Sequence, residues 1–292
     1  MATQDSTSAA AIIETVVSSL VQETLLQESV MISTISNFTA MIRDGMDELD
    51  IPRFTALTPE DVTEGSALTS QTSTIAVDKL TLNINSAIHF AISDRADVQA
   101  KVNMVAQLTK DGARNMAAQI DDKIIEQLND ASAATPDHIV PFANAASGDT
   151  VQLVDIVAAR KLLNDARLPM SDRFILLPTA QEASMLLIPN FIEVEKYGTA
   201  DAIQNGELGR IYGMAVILST SSVLSQTSFL EYHRSAIGYA SQISPKFEQD
   251  RNIVKLEDEF TLSQLYGIVL LDETGGAGNA GGVRQVLTNE VP

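Results

Sequence analysis

Along residues 1–50 the apolar positions Ile12, Ile13, Val16, Val17, Leu20, Val21, Leu25 and Leu26 recur at spacings of three and four, with Ile32, Ile35, Phe38 and Met41 continuing the series. That is the period of an amphipathic helix. Two roles fit such a segment, a helix packed on its own chain or an arm that binds a partner. From Ile51 to Ser93 the period changes to two. Leu80, Leu82, Ile84, Ile88, Phe90 and Ile92 hold even positions, while Thr81, Asn83, Asn85 and His89 fall on the opposite face of the expected strand. Ile75 and Val77 are odd-numbered, so a turn or bulge is expected at Asp78-Lys79. Twelve steps from Leu80 to Ile92 at about 3.3 Å span about 40 Å, against a radius of gyration near 19 Å for a compact chain of this length. A ribbon that long is expected to project and to need another subunit for its apolar face.

The next period is helical. Asp94 is placed to cap it, and Val98, Val102, Val105, Leu108, Met116, Ile120, Ile124 and Leu128 follow at spacings of three and four, predicting a helix to about Asp130 with a bend at Gly112. Its polar side carries Lys101, Lys110, Arg114 and Lys123. Residues 131–148 have the composition of a linker. Asp149 with Gln152 resembles a capping box for a helix to about Arg167, which Pro169 ends. Phe174-Ile175-Leu176-Leu177 reads as a buried strand closed by Pro178, and Gln181–Leu187 as a short helix. Further strands are expected at about 211–219, 229–243, 253–256 and 265–271. Strands and helices mixed without regular alternation define an α+β class. The Gly-rich stretch from Thr274 onwards is expected to be a flexible tail.

Charge narrows the partners. The chain has 38 acidic and 19 basic residues among 292, a formal net charge of −19. Binding to a phosphate backbone draws on Lys and Arg displacing counterions, so a nucleic-acid site is disfavoured, as is an anionic membrane surface. Residues 1–93 contain 12 acidic and 3 basic side chains, whereas the predicted long helix gathers cations. Cysteine is absent, which removes disulfides, thiolate metal sites and a thiol nucleophile. Glu14, Glu23 and Glu28 interrupt the apolar positions near the start, and the first basic residue is Arg43. Neither an export signal nor a membrane span is expected.

No constellation carries catalysis. Gly276-Ala277-Gly278-Asn279-Ala280-Gly281 matches G-x-G-x-x-G, yet a dinucleotide site needs that motif to open a helix within a βαβ unit, and only eleven residues follow. His89, His138 and His233 lack metal-ligand spacing. Structural roles are expected for them. The acidic groups Asp44, Asp47, Glu48 and Asp50, and Glu257-Asp258-Glu259, lack the ligand spacing of a calcium loop. Catalytic, cofactor and metal residues are therefore expected to be none. The stretch Ile203 to Val216, with Asn205-Gly206, Gly209 and Gly213, reads as a turn entering a strand.

Taken in order, the arm, ribbon, long helix and mixed segment resemble the major capsid protein of tailed bacteriophages, the Hong Kong 97-like fold. The resemblance rests on Asp172-Arg173-Phe174-Ile175-Leu176-Leu177-Pro178, the Asn205-Gly206 to Gly213-Met214-Ala215-Val216-Ile217 stretch, Gln249-Asp250-Arg251-Asn252, and Tyr266-Gly267-Ile268-Val269-Leu270. It covers roughly residues 45–273. It implies an N-terminal arm at 1–50, an extended loop at 51–93, a peripheral domain from 94–130 with 236–273, and an axial domain at 131–235, with 274–292 as the tail.

The resemblance further implies a non-enzymatic protein that forms the hexamers and pentamers of an icosahedral virion shell, assembled in the host bacterial cytoplasm around double-stranded DNA. Implied partners are further copies of itself, a portal and decoration proteins. Because only about 50 residues precede the loop, a separate scaffolding protein is expected. Some relatives join a loop lysine to a neighbour's asparagine, and Lys79 is the sole lysine of the loop here. Loop carboxylates Glu60, Asp61 and Glu64 are expected to face Lys101, Lys110 or Arg114 of an adjacent subunit. Two alternatives stay open, an encapsulin-type nanocompartment shell and an α+β metal-dependent enzyme.

Overall fold

Alternation along the strands and spacings of three and four in the helices arrange the described residues into three sheets and one long helix. The computed structural model describes residues 29–43, 45–54, 57, 59–62, 64, 70–99, 104–133, 139–141, 150–165, 168–188, 207–271 and 283–287. In chain order the elements are β1 (Ser36–Asn37), β2 (Glu48–Phe54), β3 (Ile75–Thr81), β4 (Ile84–Ser93), α1 (Asp94–Gln99), α2 (Met104–Ala133), β5 (Ile139–Pro141), α3 (Leu153–Asp165), β6 (Arg173–Pro178), α4 (Thr179–Leu186), β7 (Glu207–Ile211), β8 (Met214–Ser219), β9 (Phe229–His233), β10 (Ile237–Asn252), β11 (Glu257–Leu270) and β12 (Val283–Leu287). One sheet has the order β1-β10-β11-β4, a second β5-β12-β9-β6-β8-β7, and β2 pairs with β3 alone. The class is α+β.

The first core lies between α2 and the four-stranded sheet. Met116, Ile120, Ile124 and Leu128 of α2 are fully buried with Phe247, Phe260, Leu262 and Tyr266 of the long β10–β11 hairpin. Leu176 and Tyr232, from the six-stranded sheet, belong to the same core. The opposite face of that sheet supplies a second core, where Ile175, Leu177, Val216 and Phe229 meet Ile156 and Ala159 of α3 and Met185 of α4. The uninterrupted apolar run of β6 follows from this, because both of its faces are covered. At the root of the β2–β3 ribbon a third cluster joins Leu80, Leu82 and Ala240, with Phe38, Ile42, Leu49 and Ile51 against them.

Several sequence expectations change here. No turn forms at Asp78-Lys79; β3 runs through both, and the break falls at Leu82-Asn83. Ile75 and Val77 lie on the outward face of β3, 60% and 46% exposed, while Leu80 and Leu82 are buried, so the strand carries apolar residues on both faces without changing register. Beyond the break, β4 pairs antiparallel with β11 of its own chain from Glu257↔Ser93 to Tyr266↔Ile84. The expected 40 Å projection is therefore only the shorter β2–β3 ribbon. Helix α2 is uninterrupted at Gly112, and a Cβ there would lie 2.8 Å from Leu262 Cδ1. The glycine permits close approach to the sheet instead of a bend.

Caps shift as well. Ser93, not Asp94, caps α1, its Oγ accepting from the Ala96 N–H at 3.4 Å. For α3 the reciprocal contact comes from Asp155, whose Oδ2 accepts from the Gln152 N–H at 2.9 Å; Asp149 lies outside the described residues. The linker composition of 131–148 conceals β5, residues 253–256 form a turn and not a strand, and the expected tail contributes β12, inserted between β5 and β9. Residues 32–41 are not helical. They form short 3-10 turns at Ile32–Thr34 and Thr39–Met41 around β1. The spacing of Ile12 to Leu26, the Gly276–Gly281 motif, His138 and Asn205-Gly206 lie outside the described residues.

Candidate assembly surface

The ribbon pairs Glu48 with Thr81 at its root and Phe54 with Ile75 at its far end. Its outward apolar side chains are uncovered, with Phe54 65% exposed, and Leu57 and Val62 of the following loop are exposed too. A two-stranded ribbon is marginal in water unless something covers it. Lys79 donates to Glu48 Oε1 at 2.9 Å, and that hydrogen bond, with the charges of Glu48 and Asp50, raises its pKa.

A second exposed apolar point is the turn between β10 and β11. Ile253, Val254 and Leu256 are exposed, Val254 at 95%, and Leu256 adopts a φ of 54°. The turn is nevertheless built firmly. Asn252 Oδ1 accepts from the N–H groups of Val254 and Lys255 at 3.1 and 3.2 Å. Arg251 reaches both carboxylate oxygens of Asp94, at 2.5 and 2.6 Å, and Asp258 at 3.1 Å. This fork raises the Arg251 pKa and lowers that of Asp94. Asp94 also donates its N–H to the Leu256 carbonyl at 3.1 Å, tying the hairpin to the start of α1.

The segment leading into β1 is anchored from α2. Asp121 accepts from Ser29 Oγ at 2.6 Å and from the N–H groups of Val30 and Met31 at 3.0 and 3.2 Å. Burial pushes its carboxyl up, with these hydrogen bonds acting in the opposite direction. Met31 and Ile35 enter the first core, and the Thr34 hydroxyl lies 2.7 Å from that of Tyr232. A crevice of about 390 Å³ opens beside this anchor, lined by Val30, Arg114, Asp122 and the Ser219–Ser222 loop. Asp122 accepts from the Ser221 hydroxyl.

Of the expected contact residues, Glu60, Asp61 and Glu64 lie exposed in the loop beyond the ribbon. Lys110 and Arg114 stand four residues apart on the exposed side of α2, and Lys101 lies outside the described residues. Each set is gathered on its own element. Lys123 pairs instead with Glu126 at 2.6 Å. Within the acidic groups, Glu48 pairs with Lys79, Asp258 with Arg251, and Glu257 with Lys255. Among the described residues no three acidic or histidine side chains are placed to hold a metal ion, and no helix is long and apolar enough to cross a membrane. His89 Nδ1 lies 3.3 Å from Thr261 Oγ1. The Asp121 anchor and the 253–256 point were not anticipated, because a lone Asp on a helix and a short apolar run carry no signature of their own.

Among the described residues the fold leaves its paired ribbon and hairpin tip uncovered over two well-filled cores. The model of the phage capsid protein family matches residues 87–279, more than half of the chain, and the chain belongs to that family. The family assignment makes it a major capsid shell protein and favours neither a nanocompartment nor an enzyme. No curated protein matches the chain. Among solved structures, one from Mycobacterium phage Che8 is 20% identical with a TM-score of 0.67, over 88% of this chain and 90% of that one. The capsid of Ralstonia phage GP4 is 13% identical with a TM-score of 0.69, over 89% and 88%. The capsid of the Cyanophage P-SCSP1u is 13% identical with a TM-score of 0.67, over 90% and 89%. Identities this low show the shared fold alone.

Proposed function

We propose that this capsid protein builds hexamers and pentamers in which the β2–β3 ribbon of one subunit lies on the α2 face of the next. The uncovered ribbon is the observation that carries the reading, since its apolar side needs a surface that the described part of its own chain does not supply. Its loop brings Glu60, Asp61 and Glu64 toward Lys101, Lys110 and Arg114 of the neighbour. Charge complementarity of this kind sets register more than affinity. Residues 94–130 with 236–273 act as the peripheral domain and 131–235 as the axial domain.

The function is containment without catalysis. An acidic wall, −19 per subunit, encloses double-stranded DNA without gripping it, so attraction between subunits must come from apolar contacts and locally paired charges. Assembly takes place in the host bacterial cytoplasm with a separate scaffolding protein, a portal and decoration proteins. Co-expression with the scaffold followed by electron microscopy tests the reading. Shells support it, and a subunit that stays monomeric under those conditions overturns it. In a map of the shell, loop carboxylates all lying more than a screening length, about 8 Å, from any neighbour's Lys or Arg would refute the pairing.

A further inference from the structure

His233 closes β9 and opens the crossover that carries the chain from the six-stranded to the four-stranded sheet. Its Nδ1 accepts from the Ser235 N–H at 3.3 Å and lies against the Ser235 hydroxyl, fixing the 3-10 turn Arg234–Ala236. Two residues earlier, on the same face of the strand, stands Glu231. Among the described residues, neither carboxylate oxygen of Glu231 nor Nε2 of His233, all buried, has a hydrogen-bond partner. A buried ionised carboxylate without a donor is among the costliest groups a fold can hold.

Cations act on the pair, though no described residue hydrogen-bonds to Glu231. Arg173 is opposite His233 in the β6–β9 register, but its guanidinium donates to the Pro169 carbonyl at 2.7 Å, Asn164 Oδ1 at 2.7 Å and the Leu168 carbonyl at 2.8 Å. Arg160 of α3 adds its field from the packed helix, and Arg284 holds the register position opposite Glu231 on β12. Asp172, just before β6, acts on His233 with the opposite sign. Burial raises the Glu231 carboxyl well above the usual range, with Arg173 and Arg160 opposing it, and burial together with Arg173 lowers His233.

We propose that Glu231 and His233 form a pH-sensing pair whose protonation sets how firmly the crossover joins the two sheets. The favoured state has both groups neutral. Glu231 titrates higher in the fold than in the unfolded chain, so its contribution is full in acid and is lost as pH rises through its folded value. His233 titrates lower in the fold, so its contribution is full at higher pH and is lost as pH falls below its unfolded value, about 6.5. The next residue transmits the change. The Arg234 guanidinium donates to the Ser33 carbonyl at 2.9 Å and to the Ile35 carbonyl at 3.5 Å, while the backbone N–H of Arg234 donates to the Asp172 carbonyl at 2.9 Å. A loosened crossover therefore reaches the segment leading into β1.

Thermal unfolding of the unassembled subunit from about pH 5 to about pH 9, with Glu231→Gln and His233→Gln beside it, tests the pair. The native chain should lose stability toward both ends, E231Q should lose the alkaline decline, and H233Q the acid decline. A second reading does not depend on the variants folding. Infrared spectra of native protein labelled in its glutamates should show a protonated-carboxyl stretch that persists above the ordinary glutamate range, about 4.3, and fades as the pH is raised further. A stretch that disappears within that ordinary range, or an E231Q profile that keeps the alkaline decline, overturns the proposal.

Discussion

The carbonyl oxygen of Thr81 occupies the place that a side chain on Gly267 would need, only 2.2 Å from an ideal Cβ. This contact seats the end of β3 directly on β11, and Leu80 closes it from the other side, its Cδ2 3.0 Å from the same point. Gly267→Ala drives a methyl group into the Thr81 backbone carbonyl, a clash that no rotamer change relieves. It should cost about 1–3 kcal/mol in denaturant unfolding of the unassembled subunit. The ribbon's amides should lose protection in hydrogen exchange before those of α2.

Asp121→Ala leaves Ser29 Oγ and the Val30 and Met31 N–H groups without their acceptor. A loss of about 1–3 kcal/mol is expected for such orphaned donors where they are buried. Limited proteolysis should then cut within residues 29–37 well before other described segments, and equal rates in native and variant protein would contradict the anchor.

Tyr232→Phe removes a buried hydroxyl that, among the described residues, meets Thr34 and the Met31 sulfur. Thr34 keeps its bond to the Met31 carbonyl at 2.8 Å. The variant should lose about 1 kcal/mol, less than Asp121→Ala, with no change in shell diameter by electron microscopy.

Val254→Asp alters the most exposed apolar side chain of the described hairpin tip. Subunit stability should stay within about 0.5 kcal/mol, because the Val254 side chain is 95% exposed. Shell yield by sedimentation should fall sharply. An unchanged yield would exclude the tip from any interface.

The Asp94–Arg251 pair predicts an acid response. Its hydrogen bond to Arg251 holds Asp94 below the usual carboxylate range, so its contribution is present above the unfolded value, about 3.9, and is lost as pH falls through the folded one. Hydrogen exchange at residues 252–257 should quicken in that acid window, and Arg251→Ala should remove the step.

Legibility in the sequence followed the range of each signal. Local periods announced β4, α2 and β6, since burial on one or both faces leaves its mark within a few residues. Partners were invisible at that range. Nothing near Ile88 reveals that Leu262 of the same chain lies opposite it, so β4 was read as needing another subunit. The turn at 253–256 misled because an exposed Ile253 and Val254 have the composition of a buried strand. The backbone freedom of Gly112 suggests a bend, whereas its role is close approach to Leu262. The loop carboxylates and helix cations were legible as charge asymmetry, whereas Glu231, a charged residue in an apolar strand, drew no attention without its surroundings.

The place of β12 bears on when a subunit is finished during synthesis. It is an inner strand, parallel to β5 and antiparallel to β9, so β5 waits through some 140 intervening residues, several seconds of translation, before its neighbour exists. Until residues 283–287 leave the ribosome, the six-stranded sheet cannot close. A nascent chain that has not yet exposed this strand thus lacks the completed sheet with which to join a growing shell.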